Sequence, residues 1–155
     1  MNKILKYFYL KHLNVMVYKI SADDFKTLGD IGYNVIKKKK TPNKTKYKII
    51  ENEVLIHESA VYKKLFFLRI INKVGPAIGD CFTNPDYRGK SIYPLMLNKI
   101  SKELLFQKKY REVFVIVDHD NINSIKGIEK AGFKLFSKIK TTRFLFFYLN
   151  TKITN

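Results

Sequence analysis

The chain has 155 residues, a 46% hydrophobic content, and a formal charge of +17 from 30 basic against 13 acidic side chains. That length suits one domain, spanning 1–155, with a core of its own. The single cysteine, Cys81, excludes an internal disulfide framework and most cysteine-based metal sites.

A charge of +17 draws a protein towards nucleic acid, anionic membranes or phosphorylated substrates. Arginine stands only at positions 69, 88, 111 and 143, so lysine carries nearly all of it. Arginine is the better bidentate reader of phosphate and guanine, which disfavours nucleic acid as the partner and assigns much of the charge to compositional drift at surface positions. No apolar run approaches the roughly 20 residues that span a bilayer, and the N-terminus lacks the pattern of a signal peptide. The expectation is a cytoplasmic protein without a transmembrane segment.

Residues 1–20 hold two aromatic and β-branched runs, Ile4 to Leu10 and Val15 to Ile20, expected to pair as a hairpin around Lys11-His12-Leu13-Asn14. Ser21 followed by Asp23 and Asp24 has the form of a helix cap, and Phe25, Leu28, Val35 and Ile36 give an apolar face, predicting a helix to about Lys38. Lys37 to Lys44 lacks apolar periodicity and reads as a solvated linker. Lys46 to Ile50 and Val54 to Tyr62 flank Glu51-Asn52-Glu53 and predict a hairpin. Alternation there sends His57 and Glu58 to opposite sides. Leu65 to Ile71 is read as a strand, and Gly75-Pro76 punctuates the chain before a further strand, Ala77 to Thr83.

Asn84-Pro85-Asp86-Tyr87-Arg88-Gly89-Lys90 is a basic loop, and after it Ile92, Tyr93, Met96, Leu97, Ile100 and Leu104 recur at helical spacing. Pro94 is tolerated only in a first turn, which fixes where the helix begins. Strand, cationic loop and helix start in this order make an anion site, because the first N–H groups of a helix lack internal partners and carry the positive end of its dipole. A phosphate is the expected guest. Glu112 to Asp118 is apolar on both alternating faces, the mark of an interior strand. Asp118-His119-Asp120 is a turn rather than a metal cluster, since consecutive residues rarely converge on one ion. Asn121 or Asn123 caps a helix to Lys130, Gly132 stops it, and Phe133 to Lys140 with Thr142 to Leu149 close the chain as a hairpin.

Two of these stretches resemble the GNAT superfamily of N-acetyltransferases. Arg88-Gly89-Lys90-Ser91-Ile92-Tyr93 is similar to its pyrophosphate loop, [Q/R]-x-x-G-x-[G/A], fitting at Arg88 and departing at Ser91 and Tyr93. Asn121 to Phe133 resembles its second signature, N-x-x-[A/S]-x-x-x-[Y]-x-K-x-G-F, with Ile128 in place of the tyrosine. The resemblance implies an α/β fold of the acyl-CoA N-acyltransferase type, a twisted mixed sheet with helices on both faces, in which two strands diverge to admit acetyl-CoA.

Carried over residue by residue, Phe82 and Thr83 flank the pantetheine arm, while the backbone of Arg88, Gly89, Lys90, Ser91, Ile92 and Tyr93 holds the pyrophosphate. Such a loop tolerates Ser91 if the turn survives, particularly with its hydroxyl capping the helix, and Tyr93 if its side chain points away from the phosphates. Asn121 either lies along the cofactor path or caps its helix. The usual tyrosine protonates the departing thiolate, and Ile128 cannot, so another hydroxyl serves or the thiolate leaves unassisted. Direct transfer needs a neutral amine, a route for its proton and a donor for the oxyanion. His57, Glu58 and Asp80 are the candidate bases. The implied acceptor is the primary amine of a small molecule, and the subgroup acting in cell-surface polysaccharide synthesis suggests a nucleotide-linked amino sugar. The resemblance implies no metal and allows a homodimer. The competing readings are a basic nucleic-acid-binding module with a degenerate loop, and a protein N-acetyltransferase.

Overall fold

The computed structural model describes residues 10–145 and 147–155. The strands among them are β1 (Lys11–Ser21), β2 (Val35–Lys39), β3 (Lys44–Glu51), β4 (Val54–Tyr62), β5 (Ala77–Thr83), β6 (Glu112–Asp118), β7 (Lys134–Phe144) and β8 (Phe147–Thr154), in one sheet of order β2-β3-β4-β5-β6-β1-β7-β8. All neighbours are antiparallel except β5 and β6. Helices α1 (Ile92–Lys102) and α2 (Ile122–Lys130) pack on one face, where Ile92, Met96, Leu97, Ile100 and Ile128 meet Val113, Val115, Ile78 and Tyr18. The opposite face is covered by a 3₁₀ turn, Phe66–Ile71, which buries Phe67 and Leu68 against Val15, Val17, Phe114 and Ile139. Strand β6 supplies both layers, Val113 and Val115 to one and Phe114 to the other, as its uninterrupted apolar sequence demands.

Several expectations give way to long-range contacts. The expected strand over Leu65 to Ile71 is that 3₁₀ turn, ended by Asn72 at φ 54°. Lys11 to Asn14 form no hairpin turn; they lie inside β1, paired with Arg143 to Lys140 of β7, and the partner run from Ile4 lies outside the described residues as far as Tyr9. The closing hairpin turns at Leu145 instead of Thr141, where the β7–β8 register shifts.

The helix expected from Ser21 to Lys38 is absent. Asp24 N and Oδ2 both bond Ser21 Oγ, so the cap chemistry is consumed in one turn, and Gly29 and Gly32 stand at φ 133° and 68°. Residues 22–34 instead make one turn and then an irregular segment, pinned to α1 by the buried Asn98. Its Oδ1 accepts from Leu28 N at 3.1 Å, and its Nδ2 donates to the carbonyls of Lys26 at 2.8 Å and Ala131 at 3.3 Å. Asn98→Ala strands those three backbone groups and is expected to cost about 2 kcal/mol, read as a lowered urea midpoint at unchanged slope. The lysine run expected as linker supplies β2, an outer strand; Lys37 reaches Glu103, and the exposed lysines after it discourage edge pairing by another chain.

Candidate active site

Strands β5 and β6 pair at only two positions, Ala77 with Phe114 and Ile78 with Val115. Beyond Ile78 they part, because β6 follows β1 while β5 follows β4 through a bulge at Asp80, held at φ 47°. The wedge between them opens into a cleft of about 710 Å³, lined by Cys81, Phe82 and Thr83 of β5, the loop into α1, and one side of α2.

The loop is shaped by its backbone. Pro85–Tyr87 makes one 3₁₀ turn capped by Asn84, whose Oδ1 accepts from Asp86 N at 3.1 Å. Gly89 at φ 79° and Ser91 at φ 58° then curl the chain onto the start of α1. The first bond of that helix runs from Leu95 N to Ser91 O at 3.1 Å, so the N–H groups of Ile92 and Tyr93 have no partner within it, and Pro94 has none to offer. Ser91 does not cap the helix with its hydroxyl. That hydroxyl instead accepts from Lys130 Nζ at 2.8 Å, which brings a cation from the end of α2 to the start of α1. Arg88 Nε donates to Thr83 O at 3.2 Å, fixing a second cation beside the end of β5. Two free amides, a helix dipole and two cations at one mouth suit a diphosphate.

Tyr93 points into the wedge and not at the loop. Its ring lies over Gly127 of α2, where a Cβ would sit 2.6 Å from Tyr93 Cδ1, and 6.2 Å from the His57 ring. Burial raises the pKa of its hydroxyl, and the neighbouring Cys81 thiol adds to the rise. Asn121 caps α2, its Oδ1 accepting from Ser124 N at 3.2 Å, and it also lines the cleft. Ile128 is fully buried in the core.

Of the expected cofactor residues, the cleft gathers Phe82, Thr83, Arg88, Gly89, Ser91, Ile92, Tyr93 and Asn121, whereas the Lys90 ammonium lies over the Tyr87 ring at 4.8 Å. The three candidate bases are dispersed. Glu58 faces the other side of the sheet, where Lys46 and Lys48 hold its pKa down. Asp80 is bound by Lys44 and Tyr62, which lower its pKa, and its carboxylate secures the bulge. His57 is fully buried directly behind the cleft, and desolvation pushes its pKa down to about 4. A base of such low pKa, out of contact with the cleft, is a poor acceptor of a proton from an amine. Sequence reasoning did not single out Lys130, Gly127 or Cys81 for the site. Lys130 stands at the lysine of the second signature, which was the available signal; the other two owe their places to Tyr93.

Among the described residues no group of three or more His, Cys, Asp or Glu side chains could hold a metal, and no helix is long and apolar enough to cross a membrane.

No family model matches the sequence, and no curated protein matches it at a significant level. Solved structures do. A GNAT-family acetyltransferase from Colwellia psychrerythraea superposes with a TM-score of 0.58 at 14% identity, over 88% of this chain and 57% of its own. A putative GNAT-family acetyltransferase from Novosphingobium aromaticivorans gives 0.61 at 11% identity, over 84% of this chain and 63% of its own. The chain thus spans less than two thirds of either relative. What these likenesses establish is the fold, and the fold of this chain is that of the GNAT-family acetyltransferases.

Proposed function

We propose that the protein is an N-acetyltransferase that moves the acetyl group of acetyl-CoA directly onto a primary amine of a small molecule. The observation that carries this reading is the wedge between β5 and β6, closed at one end by the start of α1 with its unpaired amides, Lys130 and Arg88. A diphosphate at that end sends an attached chain into the wedge along β5, whose edge towards β6 is unpaired beyond Ile78. A thioester lying there has backbone amides of β5 within reach for its carbonyl oxygen as negative charge develops, and such fixed donors contribute more than any other single effect to acyl transfer. A neutral amine attacks the carbonyl carbon, the C–N bond forms, the C–S bond breaks, and one proton passes from nitrogen to sulfur. No covalent enzyme intermediate is needed.

The acceptor class follows from charge. Five acidic side chains, Asp24, Glu58, Asp80, Glu103 and Glu112, take lysine partners, which leaves a large basic excess on a chain of formal charge +17. A phosphorylated acceptor, a nucleotide-linked amino sugar in particular, uses that excess. CoA release is to be followed with free amino sugars, nucleotide-linked amino sugars, polyamines and peptide N-termini. The nucleotide-linked sugars should turn over fastest, with an advantage that shrinks as salt rises. Nanomolar duplex binding at physiological salt, with no acetyl-CoA binding, would overturn the enzyme reading in favour of a nucleic-acid module.

A further inference from the structure

A second cavity, of about 390 Å³, shares no lining residue with the cleft. Its floor is the part of the sheet where β1, β7 and β8 run side by side, and it is lined by His12 and Asn14 of β1, Lys140 and Thr142 of β7, and Asn150 and Lys152 of β8. Register gathers the lysines on one face: Asn14 pairs with Lys140 and Lys140 with Lys152, while His12 pairs with Thr142 in the next row. Leu13 and Val15, which alternate with His12 and Asn14, go to the other face, beneath the 3₁₀ turn. A bulge dents the sheet there, with the β7–β8 register shifting between Lys140 and Thr142 and Asn150 standing at φ 50°. We propose that this cavity is a second anion site, for a small phosphate-bearing molecule whose phosphate sits between Lys140 and Lys152.

The proposal rests on charge that the protein leaves unanswered. Two lysines directly opposite one another on neighbouring strands repel, and elsewhere in this sheet an acid takes the opposite place, as Glu58 does against Lys48. At Lys140 and Lys152 no acid does. All 13 acidic side chains fall among the described residues, since residues 1–9 and 146 contain none, and neither lysine makes an ion pair with any of them. An oxyanion between the two ammonium groups relieves the repulsion and gains charge-assisted hydrogen bonds from both.

The neighbouring groups suit the rest of such a molecule. Thr142 Oγ1 lies 3.0 Å from His12 Nδ1, and when that hydroxyl donates to Nδ1 the ring proton stands on Nε2, free to bond a ligand oxygen. Asn14 and Asn150 bring amides that both donate and accept, as the hydroxyls of a sugar or polyol require. A volume of about 390 Å³ exceeds what a phosphate alone fills and lies at the small end of ligand pockets. The site is independent of the acetyltransferase reading, and with no lining residue in common the two sites can be filled together.

The test follows backbone amide shifts of the full chain by NMR, at constant ionic strength, with inorganic phosphate, a hexose phosphate and the free hexose as probes. Phosphate should move the amides of Asn14, Lys140, Thr142 and Lys152 with a Kd in roughly the millimolar range, as two ion pairs in a water-like dielectric imply. The hexose phosphate should bind about threefold tighter or more through its added hydrogen bonds, and the free hexose should leave these amides unmoved. Phosphate also enters the cleft and moves Ser91 and Lys130; saturating acetyl-CoA should suppress those shifts and spare the other four. Lys140→Gln/Lys152→Gln, two exposed exchanges that leave the fold intact, should weaken phosphate at the four amides by about tenfold or more while the cleft responds as before. Lysine-dependent shifts support the site whether or not acetyl-CoA binds. It is overturned by four amides that stay still up to about 50 mM phosphate, well beyond the expected Kd. It is overturned equally by chloride moving them as far at matched ionic strength, by shifts undiminished in the double variant, or by duplex DNA moving them at lower concentration than the hexose phosphate, which would mark a nucleic-acid surface instead.

Discussion

Gly127→Ala should destabilise the protein by about 3 kcal/mol and abolish acetyl-CoA binding, although the same exchange in an ordinary helix stabilises by about 1 kcal/mol. The added Cβ would stand 2.6 and 2.9 Å from two carbons of the Tyr93 ring. That ring cannot simply retreat, since the His57 ring stands 6.2 Å from it and its hydroxyl is buried beside Cys81. Either α2 shifts away from α1, spoiling the mouth that Lys130 and Ser91 form together, or Tyr93 is driven into the cleft. The sign of the effect is the test. In a Tyr93→Ala background the clash is gone, and Gly127→Ala should turn stabilising by roughly the helix-propensity difference. Chemical denaturation of the four proteins of this cycle measures the coupling. Equal effects of Gly127→Ala in both backgrounds would mean that Tyr93 does not occupy the wedge.

Acid should weaken the fold through His57. Burial lowers its pKa from 6.5 to about 4, so between those values the unfolded chain binds a proton that the folded chain refuses. Stability is then complete above pH 6.5, falls as pH drops through that window, and levels off below about 4, with a total loss of roughly 3 kcal/mol. Glu58, whose charge opposes the shift, titrates lower because Lys46 and Lys48 hold its pKa down. Urea unfolding from pH 7.5 to 4 should show the loss in native protein, and His57→Gln should flatten the profile. A native profile flat from pH 6.5 to 4.5 would mean that the imidazole is solvated.

What the sequence made legible was whatever local chemistry decides. The uninterrupted apolar run of β6, the alternation that parts His57 from Glu58, the proline that starts α1 and the asparagine that caps α2 all stand where periodicity and capping put them. What it hid was decided by residues distant in the chain. The cap at Ser21 is locally a good helix start, yet Asn98 of α1 takes up the backbone groups of Lys26 and Leu28. Lys11 to Asn14 carry turn-like residues, but β1 runs on through them because β7 supplies a pairing partner for all four. In the site, the motif located the loop, but the direction of Tyr93 depends on the missing side chain at Gly127, a relation no single-strand pattern carries. Strand position makes Glu58 and Asp80 candidate bases, and the lysines of β3 that neutralise them lie on the neighbouring strand for Glu58 and two strands away for Asp80.

The central claim is that the start of α1 holds the diphosphate of acetyl-CoA, and calorimetry on native protein and Ser91→Asp tests it most directly. Aspartate tolerates the left-handed backbone at φ 58°, so the loop should keep its shape. Its carboxylate would stand beside the phosphates and also capture the Lys130 ammonium that now bonds Ser91. Repulsion and the lost cation should cost at least ~1 to 2 kcal/mol, a drop in acetyl-CoA affinity of about tenfold or more, at unchanged thermal stability. Equal affinity in a folded Ser91→Asp protein, or no binding by the native chain, would contradict the site.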